Sequence, residues 1–204
     1  MARRGRKETS MSKALPIALV ALLALAGCET APETRVTRTH LNQPMAPGQI
    51  TVEPLLASDR GSLEFQTYAS IVGAELARLG YTEAPGLHAS ELVATVAVER
   101  GMREGSGGGS GLRIGLGGGS YGWHGGVGGG VSFPVGARRG GVVVTRLMVQ
   151  IKRRSDGSVI WEGRGETEGR AGTPAADPAN AVRRIAAAMF KGFPGESGRT
   201  ITVR

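Results

Sequence analysis

The chain has 204 residues, with 25 basic and 17 acidic groups, a formal charge of +8 and one cysteine. A lone cysteine excludes an intramolecular disulfide, a Cys-x-x-Cys redox pair and a cysteine-rich zinc site. Five of the basic groups and one of the acidic groups fall in residues 1–27, so residues 28–204 hold 20 and 16, a nearly balanced set in one domain's length of chain that gives no footing for a nucleic-acid partner.

The first element is a signal-type segment. Arg3, Arg4, Arg6, Lys7 and Lys13 make a basic start, and Ala14 to Ala26 is an uncharged apolar run. That run is shorter than the ~20 apolar residues a spanning helix needs, and Glu29 closes it one residue after Cys28. Basic start, short apolar centre and small residues before a cut define a secretory signal. Met11 begins a second, more typical version of the same pattern. The ending Leu25-Ala26-Gly27-Cys28 resembles a lipobox, the tetrapeptide at which bacterial lipoproteins are lipidated on the cysteine and cleaved before it. The bland alternative, a buried thiol packing as a small hydrophobe, fits poorly at the end of a signal segment. The expectation is a palmitate-bearing lipid anchor on Cys28 after removal of residues 1–27, with the membrane as first partner. Glu29 is not the Asp that holds enteric lipoproteins in the inner membrane, so the periplasmic face of the outer membrane is the expected location.

Residues 28–48 are polar and carry Pro32, Pro44 and Pro47, which predicts a flexible tether. Gln49 to Leu56 is a short strand, placed at an edge or ended by Pro54. Ser62 to Leu79 has helical periodicity, with Phe65, Tyr68, Val72, Leu76 and Leu79 on one face. Ser62 caps its start and Gly80 its exit. Glu91 to Glu99 is apolar on both faces, which predicts an interior strand. Residues 101–141 contain 19 glycines. This stretch is either a flexible loop or a weak hairpin pairing Leu112–Leu116 with Val127–Val135. Gly141 to Arg153 is a long strand, Asp156-Gly157 a hairpin turn, and Ser158 to Thr167 the returning strand. Residues 169–176 are a loop. Asp177 and Pro178 then open a second helix, with Val182, Ile185, Ala186, Met189 and Phe190 as its buried stripe and Arg183 and Arg184 facing water. Arg199 to Arg204 is a last strand. The predicted fold is a single α+β domain over 49–204: a mainly antiparallel sheet, two helices on one face and a glycine-rich hairpin insertion at 101–141.

These pieces, in this order, resemble the bacterial lipoprotein family called domain of unknown function 4136. The resemblance rests on the lipobox, Leu79-Gly80-Tyr81, the strand Glu91 to Val96, the glycine-rich hairpin, Leu147 to Ile151, the run Asp156 to Gly163, and Phe190-Lys191-Gly192-Phe193-Pro194. One departure is Ser90-Glu91, where the family often has Ala-Asp. The resemblance implies an envelope lipoprotein with an α/β domain, and it carries over no catalytic residues.

Motifs for chemistry are sparse. Gly117-x-Gly119-x-x-Gly122 matches a dinucleotide fingerprint by letters, but no helix follows it. His40, His88 and His124 are the only histidines, and none has metal-ligand spacing. Tyr121, Trp123 and His124 at a hairpin tip are a candidate surface contact for membrane or glycan; the bland reading is a loop packed on its own sheet. Arg138-Arg139 and Lys152-Arg153-Arg154 can touch anionic lipid, or simply be solvated chain ends. Glu162, Glu166 and Glu168 alternate and so share one strand face. Paired acids ~5–9.5 Å apart are what glycosidases use; such a site requires a deep pocket and raised carboxyl pKa values. Trp161 and Gly163 on the other face point instead to acids in water. The resulting expectation is a non-catalytic binding or structural domain for an envelope protein, glycan or lipid, without cofactor or metal. The alternatives are a small-molecule or lipid carrier and a glycan-acting enzyme with an acidic site.

Overall fold

A computed structural model describes residues 32–86, 89–103, 112–113 and 141–204. These residues form β1 (Thr34–His40), β2 (Gln49–Pro54), α1 (Leu63–Arg78), β3 (Thr82–Glu83), β4 (Leu92–Arg103), β5 (Leu112–Arg113), β6 (Val142–Arg153), β7 (Val159–Arg170), α2 (Pro178–Phe190) and β8 (Thr200–Val203). The strands make one sheet in the order β3-β2-β4-β6-β7-β1-β8, with β5 paired to the end of β4. β2 runs parallel to β3 and to β4, and the other pairs are antiparallel. The fold is α+β, as the sequence predicts. No helix among the described residues is long and apolar enough to cross a membrane.

Both helices start where their sequences say. Ser62 Oγ accepts the Phe65 amide at 3.3 Å, and Gly80 takes the left-handed exit at φ +90°. The Asp177 carboxylate accepts the Asn180 amide at 2.9 Å, with Pro178 at the first position of α2. Each cap satisfies an amide that the helix itself leaves unpaired.

The two helices bury their stripes on the same sheet face. Tyr68, Val72 and Leu76 of α1, and Val182, Ile185 and Met189 of α2, join Val36, Ile50, Ala94, Val96, Leu147, Val149, Ile151 and Trp161 in one core. Trp161 is fully buried, stacks on Phe190 with centroids 5.4 Å apart, and donates from Nε1 to the Pro194 carbonyl at 3.1 Å. Gly163 and Gly165 alternate with the charged positions of β7 and so face α2 with Trp161. A Cβ on Gly163 would overlap Met189, and one on Gly165 would overlap Ile185. The helix therefore sits on backbone, closer than side chains would allow.

The structure departs from the sequence reading in several places. Residues 34–40, assigned to the tether, form β1 between β7 and β8, with Val36 opposite both Gly165 and Ile201. The inward row of β1 is Thr34, Val36, Arg38 and His40, so only one of four core-side residues is apolar and no hydrophobic alternation marks the strand. Thr34 and Arg38 are buried nonetheless. β4 runs on to Arg103 and β7 to Arg170, beyond the predicted ends at Glu99 and Thr167. Gly169, assigned to a loop, is in β7. Of the predicted glycine-rich hairpin, Leu112–Arg113 pairs with Met102–Arg103, and the remainder lies outside the described residues.

Candidate functional site

The sheet face turned away from the helices carries the charge. Strand register lines Glu99, Arg146, Glu166, Arg35 and Thr202 across β4, β6, β7, β1 and β8. The next row is Ala97, Met148, Arg164, Thr37 and Thr200. The one after it is Thr95, Gln150, Glu162 and Thr39. All of these alternate with core residues, so the same period of two that packs Leu147 and Trp161 inward sends them outward.

Opposite charges meet across the strands. Glu166 accepts from Arg35 Nη2 at 2.6 Å and from Arg146 Nε at 2.8 Å. Glu162 accepts from Gln150 Nε2 at 2.7 Å and pairs with Arg164. Glu168 pairs with Arg103. Cross-strand pairs of this kind contribute roughly 0.2–1 kcal/mol each, so the ladder fixes register more than it stabilises the fold. Partial burial pushes the Glu166 carboxyl up, but the hydrogen bonds and charges of Arg35 and Arg146 outweigh it and hold the pKa below the ordinary carboxylate value. Glu99, without such hydrogen bonds, goes the other way: burial raises it, and the Arg146 charge offsets only part of that rise.

Arg35, Thr37, Arg146, Arg164, Glu166 and Thr200 line an open depression of about 420 Å³ on this face. The Thr37 and Thr200 hydroxyls share a hydrogen bond at 2.7 Å. The lining offers guanidinium and hydroxyl donors suited to an anionic or hydroxyl-rich ligand. Among the described residues, no group of three or more His, Cys, Asp and Glu side chains is placed to hold a metal.

The sequence-predicted residues are distributed as follows. Glu162, Glu166 and Glu168 do share a face, yet each is ion-paired on open surface. Glu166 is shifted down where an acidic catalytic site needs it shifted up. His40 is in β1, not a tether, with Nε2 3.0 Å from the Gly195 carbonyl and Nδ1 3.2 Å from the Asn42 amide. Arg154 is no solvated strand end: it donates to Glu53 at 2.6 Å, to Thr51 at 2.8 Å and to the Ser90 carbonyl at 3.0 Å, tying β2 to the β6–β7 turn. Arg184 is half-buried and donates to the Ala175 carbonyl rather than facing water. Leu25, Ala26, Gly27, Cys28, His88, Tyr121, Trp123, His124, Arg138 and Arg139 lie outside the described residues. Sequence reasoning missed Arg35, Thr37 and Thr200, because their place on the face follows from β1, a strand it did not see.

A family model described as "Domain of unknown function (DUF4136)" matches residues 53–195. An uncharacterized protein of Zymomonas mobilis is 44% identical over 77 residues, which cover 37% of this chain and 29% of that protein. The chain thus spans under a third of the length of that relative. Among solved structures, the PelC dodecamer from Paraburkholderia phytofirmans matches at 13% identity over 76% of this chain and 96% of that one, with a TM-score of 0.41. A PDZ domain protein from Parabacteroides distasonis matches at 12% identity over 90% of this chain and 42% of that one, with a TM-score of 0.46.

Proposed function

The chain belongs to the family of the domain of unknown function 4136, and from that premise we propose that it is a lipid-anchored lipoprotein of the bacterial cell envelope whose α+β domain binds rather than catalyses. The observation that carries this reading is the position of the sole cysteine, at the end of a signal-type segment and directly behind Leu25-Ala26-Gly27. Cleavage before Cys28 frees its amine, so one residue can carry both a diacylglyceryl thioether and an amide-linked acyl chain. Two or more chains are what stable membrane attachment takes. Glu29 favours the periplasmic face of the outer membrane.

The state of the acids supports binding over turnover. A glycan-cleaving site needs one carboxyl kept protonated near neutrality, and Glu166 is held in the opposite direction by two arginines. The row of guanidinium and hydroxyl groups around it suits a polar or anionic envelope partner: a protein, a glycan or a lipid headgroup.

Replacing Cys28 with Ser tests the anchor. Radiolabelled palmitate incorporation is expected to disappear and the protein to leave the membrane fraction. Unchanged fractionation and an unchanged mature mass overturn the reading. For the domain, turnover of a cell-wall glycan that is abolished by Glu166→Gln overturns the non-catalytic assignment.

A further inference from the structure

Resting on the lipid anchor proposed above, we infer that the domain is held directly against the bilayer by the sheet end where β1 begins, and that Arg103, Arg170 and Arg204 at that end contact anionic lipid headgroups. Chain length sets the first limit. β1 begins at Thr34, so only residues 29–33 separate it from Cys28. Six Cα steps at the ~3.3–3.6 Å of an extended chain reach about 20 Å at most. Thr34 cannot leave the sheet to gain length, because β1 is hydrogen-bonded to β7 on one side and β8 on the other.

Orientation follows from the same limit. Thr34 stands level with Thr167 of β7 and, through it, with Thr145 of β6. From Thr145 to Arg153, at the opposite end of β6, is eight residues, or about 27 Å at ~3.4 Å per residue. Turning that end to the bilayer would lift Thr34 beyond the reach of its own spacer. The spacer therefore excludes the far end and leaves the near end as the one it can bring against the lipid.

That end presents three exposed guanidinium groups. Register puts Arg170 opposite Val142 and Arg103 opposite Val142 on its other side, and Arg204 follows the Val203 that pairs with Thr34. The side chains of Arg103 and Arg204 are 54% and 75% exposed even while they pair with Glu168 and Glu33. Arg170 is exposed and makes no ion pair among the described residues. Among the described residues at this end, Glu33 and Glu168 are engaged by arginines and Asp177 by the first turn of α2. A guanidinium fork matches a phosphate bidentately, and basic groups close to an anionic surface are drawn to it.

The test uses the lipidated full chain in vesicles. Cys28 is the only native cysteine and is blocked by its lipid, so one introduced thiol labels a single place. Met102→Cys marks the near end and Val159→Cys the far end; both side chains are partly exposed, at 42% and 37%. A fluorophore at each is quenched by nitroxide-headgroup lipid in vesicles of phosphatidylethanolamine and phosphatidylglycerol. Severalfold stronger quenching at position 102, reduced when phosphatidylcholine replaces both lipids, is the expected result. Equal quenching at both positions, stronger quenching at 159, or no dependence on lipid charge overturns the inference. A mature mass lacking the acyl chains overturns the lipidation reading instead, so the two failures are told apart.

Discussion

Gly165 is the residue on which the seating of α2 turns. A Cβ there overlaps Ile185, while Met189 Cε and Val36 Cγ2 already stand 3.5 Å away. Gly165→Ala is therefore expected to lower stability by about 1–3 kcal/mol, the usual cost of overpacking a filled core. Gly48→Ala, where a Cβ meets nothing within 4 Å, is the control and should stay within about 0.5 kcal/mol. Urea unfolding of both measures the difference. Glu166 gives a pH prediction at the same scale. Its folded pKa is depressed, so its stabilising contribution is present above the unfolded carboxylate pKa and is lost as pH falls through the folded value. Stability should fall on acidification below about pH 5, and Glu166→Gln should flatten part of that fall in urea titrations at stepped pH. The sequence shows Glu166 on the face away from Trp161 but not its arginines, which come from β1 and β6. Arg38 is equally hidden. Its guanidinium donates to the Ala188 carbonyl at 3.0 Å in the last turn of α2, where a cation complements the helix dipole. Nothing local to Thr37-Arg38-Thr39 announces that burial.

At the scale of elements, what is legible in the sequence has local chemistry. Ser62 and Asp177 cap the helices they are expected to cap, and Asp156-Gly157 turns β6 into β7, with the Asp156 carboxylate accepting the Ser158 amide at 2.8 Å. The continuous apolar run of β4 predicts an interior strand, and β4 does lie between β2 and β6. β1 is not legible, because its burial depends on partners more than 120 residues away: Thr34 bonds Thr167 at 3.3 Å, and Ser197 and Gly195 close over His40. The parallel pairing of β2 with β4 is hidden for a related reason. α1 crosses between them, and strand direction is a property of the crossover, not of either strand's composition. β1 now yields a prediction. β8 has β1 as its pairing partner among the described strands, so removing β1 should release both β8 and the outer edge of β7. A chain beginning at Pro32 is expected to keep its amide protection throughout, whereas one beginning at Leu41 should lose protection over Thr200–Val203 and along β7. Hydrogen exchange read by mass spectrometry distinguishes them; persistent protection of β8 without β1 would show the strand to be held by something other than this ladder.

For the whole molecule, the shortened spacer changes what the proposed lipid anchor on Cys28 would do. A 20-residue flexible tether would leave the domain sampling a shell about 25 Å deep. With Cys28 lipidated as proposed, the five residues that remain would confine it near the headgroups, within a few Debye lengths of about 8 Å at physiological salt. Distance and charge are then separable. Inserting about 15 Gly/Ser residues after Thr30 restores the longer tether without touching the domain. In phosphatidylcholine vesicles the inserted chain has nothing to draw it back, so headgroup quenching of a label at position 102 should fall well below that of the native spacer. In vesicles with phosphatidylglycerol, Arg103, Arg170 and Arg204 can still find phosphates, and much of the quenching should survive. Raising salt to about 1 M cuts the screening length to about 3 Å and should abolish that surviving part while leaving the native-spacer protein in phosphatidylcholine unaffected. If the insertion removes quenching equally in both lipids, the spacer alone sets the position of the domain and the arginines add nothing to it.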